Sequence, residues 1–160
     1  SLYLVTDREL SLGRSLEDVV MEAVEGGVTV VQLREKDAST GEFVSLAGRL
    51  MELLKPHGIP LIINDRVDVA LAVDADGVHI GQSDMPYDIA RKLLGPDKII
   101  GLSVENFEDI EVANGLDVDY VGISPVYGTP TRLFAPASAG WSMDASISTE
   151  AGADFARSAI

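Results

Sequence analysis

The stretch Pro60–Asp84 reads PLIINDRVDVALAVDADGVHIGQSD, and its reading decides the fold. Pro60–Ile63 is a short apolar run that stops at Asn64 and Asp65, Val67–Val73 carries apolar residues at helical spacing, and Gly77–Ile80 is a second short apolar run. Strands that are apolar along their whole length belong to sheets covered by helices, and a helix between two such strands joins parallel neighbours. The stretch therefore predicts one strand–helix–strand unit of a parallel sheet.

The same rhythm extends in both directions at a spacing of roughly 20 residues. Upstream, strands are expected at Leu2–Thr6 and Thr29–Leu33, with helices at Ser15–Glu25 and Thr40–Lys55. Downstream, strands are expected at Lys98–Leu102 and Tyr120–Ile123, with helices at Pro86–Leu94 and Asn106–Asn114. Start signals support these helices: Asp18 stands three residues after Ser15, Thr40 precedes Gly41-Glu42-Phe43, and Pro86 suits a first turn. Gly26-Gly27, Gly58 and Gly95-Pro96 supply the stops. After Ile123 the rhythm ends, and the segment from Leu133 to Ile160 is dominated by Ala, Ser and Gly. An eight-stranded barrel takes ~200 residues or more. The expected fold is thus an α/β, TIM-type (β/α) barrel, incomplete, with six βα-like units in a portion spanning 1–132 and an atypical tail over 133–160.

Composition narrows the function classes. The chain has 160 residues, 46% of them apolar and 24% charged, which describes an ordinary globular protein, with one domain as the default. Twelve Lys and Arg against 26 Asp and Glu leave a net charge of −14, which disfavours nucleic acid and anionic membrane surfaces as partners. There is no cysteine, so disulfides, thiolate metal sites and a Cys nucleophile are all ruled out, and a cytoplasmic setting is the expectation. No apolar run has the length of a membrane span. The chain opens inside a strand-like run, so a few residues before Ser1 are expected to be missing. An unclosed barrel leaves a sheet edge exposed unless another chain covers it, which makes a homo-oligomer compatible with the sequence.

In a parallel barrel the chemistry sits at the C-terminal ends of the strands, and polar residues collect there. Alternation in Gln32-Leu33-Arg34-Glu35-Lys36 sends Gln32, Arg34 and Lys36 to one side and Leu33 and Glu35 to the other. Arg34 as a fork and Lys36 as a point charge suit a diphosphate, and an exposed charge cluster is the alternative. Asn64 is a hydrogen-bonding group, and Asp65 is either a hard oxygen donor for Mg²⁺ or a cap on the next helix, with Arg66 pairing nearby. Asp84 follows Asp65 by one βα unit. Carboxylates at matching heights on neighbouring strands ~4.8 Å apart suit one shared metal ion, while a cap for the helix near Pro86 stays open. His79 reads as a packed barrel residue, and Ser103 as either an oxyanion contact or a cap. Ser124 to Arg132 is a rigid Gly/Pro loop with three Ser and Thr hydroxyls and a terminal cation, fit to wrap an anion.

Tyr3-Leu-Val-Thr-Asp7, Gln32-Leu-Arg-Glu-Lys36, Ile63-Asn-Asp-Arg-Val-Asp68, Gly77-Val-His-Ile-Gly-Gln82, Gly101-Leu-Ser103 and Gly122-Ile-Ser-Pro-Val-Tyr-Gly-Thr-Pro-Thr131 together resemble thiamine-phosphate synthase in order and spacing. The resemblance implies a transferase of thiamine biosynthesis that joins hydroxymethylpyrimidine diphosphate to thiazole phosphate, releasing diphosphate, with Mg²⁺ as cofactor. It implies that Gln32, Arg34, Lys36, Asn64, Ser103 and Arg132 hold the pyrimidine diphosphate, with Arg34, Lys36, Ser103 and Arg132 acting on the leaving group. It further implies that Asp65 and Asp84 bind Mg²⁺ and that Thr129 and Thr131 meet the thiazole phosphate. Two departures stand out: Arg132 replaces the family's Lys, and no Gly-Gly pair follows residue 131. A truncated or frame-shifted tail, a synthase-like binding protein that does not turn over, and a thiazole tautomerase on the same barrel are the competing expectations. The tautomerase has no need of paired metal-binding carboxylates.

Overall fold

The computed structural model describes residues 1–123. They fall into two compact units, Ser1–Ile100 and, from Gly101 onward, the described residues 101–123. The boundary proposed at residue 132 and the tail 133–160 lie outside the described residues.

In the first unit four apolar runs form strands β1 (Tyr3–Val5), β2 (Val30–Leu33), β3 (Leu61–Asn64) and β4 (Gly77–Ile80). Each is followed by a helix: α1 (Leu16–Glu25), α2 (Thr40–Leu54), α3 (Val67–Val73) and α4 (Tyr87–Leu94). The strands pair in parallel and in sequence order. Val5 stands opposite Gln32, Gln32 opposite Ile62, Ile62 opposite Gly77, and Asn64 opposite His79. This register brings the strand ends that carry Arg34, Asn64 and Gly81 out side by side.

Burial explains why β2, β3 and β4 lack simple alternation. Val31, Leu33, Leu61, Ile62, Ile63, Val78 and Ile80 are all buried, as expected for strands with helices packed over them. The covering stripe of α2 is Phe43, Leu46, Ala47, Leu50 and Leu54, all buried and spaced to share one helical face. At Gly77 the backbone of the next strand passes so close that a Cβ would collide with the Ile99 carbonyl and sit 2.6 Å from the Ile99 Cβ. Any side chain at that position pushes the strands apart.

Caps refine the expected helix ends. Ser15 is the N-cap of α1, its hydroxyl accepting from the Asp18 N–H at 3.1 Å. Helix α2 starts at Thr40 as expected, and its N-cap is Ser39. Its hydroxyl accepts from the Glu42 N–H at 3.3 Å, and the Glu42 carboxylate accepts from the Ser39 N–H at 2.9 Å, a complete capping box. Pro86 is the N-cap of α4 rather than its first residue. A short 3₁₀ turn, Lys55–His57, ends α2 and was not expected from the sequence.

Strand β5 (Ile99–Val104) begins in the first unit, where the Ile99 N–H donates to the Asp76 carbonyl at 2.9 Å. In the second unit β5 pairs in parallel with β6 (Tyr120–Ile123), Gly101 opposite Tyr120 and Ser103 opposite Gly122, with α5 (Phe107–Asn114) between them in sequence. Six strands alternating with helices, all pairings parallel, place the chain in the α/β class of TIM-type (β/α) folds.

Candidate active site

The site begins where β3 ends. Asp65 has φ +63°, a left-handed conformation uncommon for a residue with a side chain, and its N–H donates to the His79 carbonyl of β4 at 2.8 Å. The Arg66 N–H donates to the Asn64 carbonyl at 2.7 Å, closing a tight turn around Asp65. Aspartate tolerates this region better than most residues, and local backbone strain of this kind collects at functional sites. The capping reading of Asp65 fails: the N-cap of α3 is Arg66, and no side chain caps it. Arg66 instead chelates Asp68, at 2.8 and 2.6 Å, and reaches the Thr40 hydroxyl at 3.0 Å.

Asp84 lies in the loop after β4 and does not cap either, since α4 starts at Pro86 without a side-chain cap. Its carboxylate turns back and accepts the Gly81 N–H at 2.7 Å, while its own N–H donates to the Gly81 carbonyl at 3.2 Å. This loop carries the carboxylate to Asp65. The two acids hydrogen-bond each other, and the Asp65 carboxyl is pushed up to about 6 by partial burial first, then by that hydrogen bond and by repulsion from Asp84; Arg34 and Lys36 pull it the other way. Asp84, Arg34 and Lys36 therefore all lie close enough to act electrostatically on Asp65. No group of three or more His, Cys, Asp or Glu among the described residues is arranged to hold a metal ion, so the carboxylates here come as a pair.

On β2, Gln32 is buried and its amide donates to the Tyr3 hydroxyl at 3.2 Å. The Arg34 backbone N–H donates to the Thr6 hydroxyl at 3.0 Å, and its guanidinium lies 3.4 Å from the Asp7 carboxylate. Lys36 is exposed. Asn64, partly buried, closes β3 opposite His79, which is itself buried in the strand. Within the first unit the structure thus brings Arg34, Lys36, Asp65 and Asp84 together and sets Gln32 and Asn64 on adjoining strands.

Ser103 belongs to the second unit, partly buried on β5 opposite Gly122. It is not the cap of α5: that position is Asn106, whose side chain accepts the Asp109 N–H at 2.9 Å. Thr129, Thr131 and Arg132 lie outside the described residues. Sequence reasoning overlooked Asp7, Arg8 and Glu35, which tie the loop after β1 to the loop after β2. The available signal was an Asp directly after a strand, where Asx turns are common.

Comparison with known proteins bears on the family of the chain. The sequence model of the family described as thiamine monophosphate synthase matches residues 2–155. The chain is 53% identical over 150 residues to the thiamine-phosphate synthase of Syntrophomonas wolfei subsp. wolfei, covering 94% of this chain and 72% of that protein. It is 59% identical over 131 residues to the thiamine-phosphate synthase of Albidiferax ferrireducens, covering 82% of this chain and 60% of that one. Among solved structures, the thiamine phosphate pyrophosphorylase from Pyrococcus furiosus matches with a TM-score of 0.74 at 41% identity, over 81% of this chain and 62% of that one. The chain spans between 60% and 72% of the length of these relatives. With a family match over nearly its whole length, the chain belongs to the thiamine monophosphate synthase family.

Proposed function

We propose that this chain carries the thiamine-phosphate synthase activity of its family: the methylene carbon of hydroxymethylpyrimidine diphosphate loses diphosphate and bonds to the ring nitrogen of thiazole phosphate. The single observation that carries the reading is the Asp65–Asp84 carboxylate pair with Arg34 and Lys36 beside it. Two acids pressed together at the mouth of a parallel sheet, with cations at hand, are built for a divalent ion and an anion rather than for stability alone.

The residues divide the work. Asp65 and Asp84 would hold Mg²⁺, and because the carboxylates come as a pair, the remaining ligands would be water and diphosphate oxygens. When bound, Mg²⁺ supplies charge neutralisation for the leaving diphosphate. Arg34 and Lys36 receive the negative charge that develops as the carbon–oxygen bond breaks. Gln32 and Asn64 fix the pyrimidine, Ser103 and Arg132 contact the diphosphate, and Thr129 and Thr131 meet the thiazole phosphate. The aminopyrimidine ring stabilises the cationic carbon, so little proton transfer is asked of the protein, and positioning does most of the catalysis. His79, buried within β4, has no part in this scheme.

The test is calorimetry with hydroxymethylpyrimidine diphosphate, with and without Mg²⁺. Binding is expected only with the metal, and is expected to weaken strongly in Asp65→Ala and Asp84→Ala. Metal-independent binding, or full affinity in both variants, rejects the site. Formation of thiamine phosphate on adding thiazole phosphate separates an active synthase from a chain that only binds.

A further inference from the structure

Two consecutive loops at the strand C-termini are joined by a double ion-pair clasp. Asp7 and Arg8, which follow β1, face Arg34 and Glu35, which follow β2, with the order of charges reversed. Arg8 Nε donates to Glu35 Oε2 at 3.0 Å, and Arg34 Nη1 lies 3.4 Å from Asp7 Oδ2. The first pair is rooted in the fold, because the Glu35 side chain is 2% exposed although Arg8 lies at the surface. The second is rooted in the backbone. Asp7 Oδ1 accepts the N–H groups of Glu9 and Leu10 at 3.0 and 3.2 Å, and the Thr6 hydroxyl accepts the Arg34 N–H at 3.0 Å. The turn thus fixes the Asp7 carboxylate and leaves its second oxygen for Arg34.

Two effects oppose each other at Asp7. Its charge repels an arriving diphosphate and competes with it for Arg34. Against this, the guanidinium is a planar fork of five donors on a flexible stem, so holding one Nη aims the others. Orientation is the larger effect here. The Asp7 charge is already shared with two backbone N–H donors, and a 3.4 Å contact is looser than a tight charge-assisted bond, so it guides the arginine without capturing it.

We propose that Asp7 is a positioning residue, holding one edge of the Arg34 guanidinium so that its remaining donors are presented to the substrate's diphosphate. This rests on the functional reading above, in which Arg34 meets that group. Asp7→Asn is the informative variant. Its amide oxygen still accepts the Glu9 and Leu10 N–H groups, while its NH₂ offers Arg34 a donor in place of an acceptor. Asp7→Ser, which also accepts from the turn but is too short to reach Arg34, is a second variant on the same footing should Asp7→Asn lower the unfolding midpoint.

The experiment is calorimetric titration of inorganic diphosphate in the presence of Mg²⁺, in wild type, Asp7→Asn, Arg34→Ala and the double variant. Asp7→Asn is expected to weaken binding about fivefold in the wild-type background and not at all in the Arg34→Ala background, because it acts only through Arg34. Unchanged or tighter binding in Asp7→Asn means that charge repulsion outweighs orientation, and overturns the inference. Equal weakening in both backgrounds means general damage to the loop, and overturns it too. Arg34→Ala with wild-type affinity instead rejects the functional reading, which keeps the two failures apart.

Discussion

Asp65 joins backbone strain, charge and proposed function in a single residue. Its left-handed backbone would cost less with glycine, yet a carboxylate stands there, hydrogen-bonded to a second one. The proposed metal site predicts that Asp65→Ala or Asp84→Ala lowers Mg²⁺-dependent diphosphate affinity by ~10²-fold, since each removes one of the two protein ligands; titration calorimetry reads this directly. A pH effect follows from the Asp65 shift, to about 6, above the usual carboxylate value of about 4. Between those values the folded chain keeps a proton that the unfolded chain has released. Stability from this group is therefore fully present below about pH 4 and is lost as pH rises through about 6. Glu17 and Asp68, lowered by hydrogen bonds from Arg49 and Arg66, work in the opposite direction. The comparison must be with Asp65→Asn: in metal-free urea unfolding, wild type is expected to lose ground relative to that variant on going from pH 4 to pH 7. A constant difference between the two would reject the shift.

At the scale of the element, helix starts and buried stripes carry the argument. The capping box on Ser39 predicts that Ser39→Ala destabilises the fold by ~1 kcal/mol, measured by chemical denaturation. Leu50, fully buried on the inner face of α2, is expected to cost ~2–5 kcal/mol as Leu50→Ala, because the packing around it closes the cavity only partly. The element pattern was legible in the sequence. Val67–Val73, Gly77–Ile80 and Tyr120–Ile123 were read with the observed bounds, since apolar periodicity and Gly or Pro punctuation are local properties. The Ser39 cap is also local: Glu42 stands three residues after Ser39, the spacing of a capping box, whereas Phe43 stands three after Thr40 and cannot return the bond.

At the scale of the whole molecule, charge and register matter most. A net charge of −14 repels a diphosphate at long range, whereas Arg34 and Lys36 attract it only nearby. Raising salt from 0.01 to 0.1 M shortens the screening length from about 30 to about 10 Å and removes the distant repulsion first. The association rate of Mg²⁺-diphosphate, followed by stopped flow, is therefore expected to rise over this range, whereas a site on a basic protein would slow. The sequence by itself determined the parallel β/α class, the order of the strands and the polar residues at their ends, because hydrophobic period and punctuation are written in neighbouring residues. What it left open was whether Asp65, Asp84 and Ser103 were caps. Only the tertiary structure decided that, since a cap and a ligand can have the same neighbours in sequence and differ only in which backbone N–H or which distant carboxylate the side chain meets. The Asp7–Arg34 and Arg8–Glu35 clasp has the same origin: it joins residues 27 positions apart that only the pairing of β1 with β2 brings side by side.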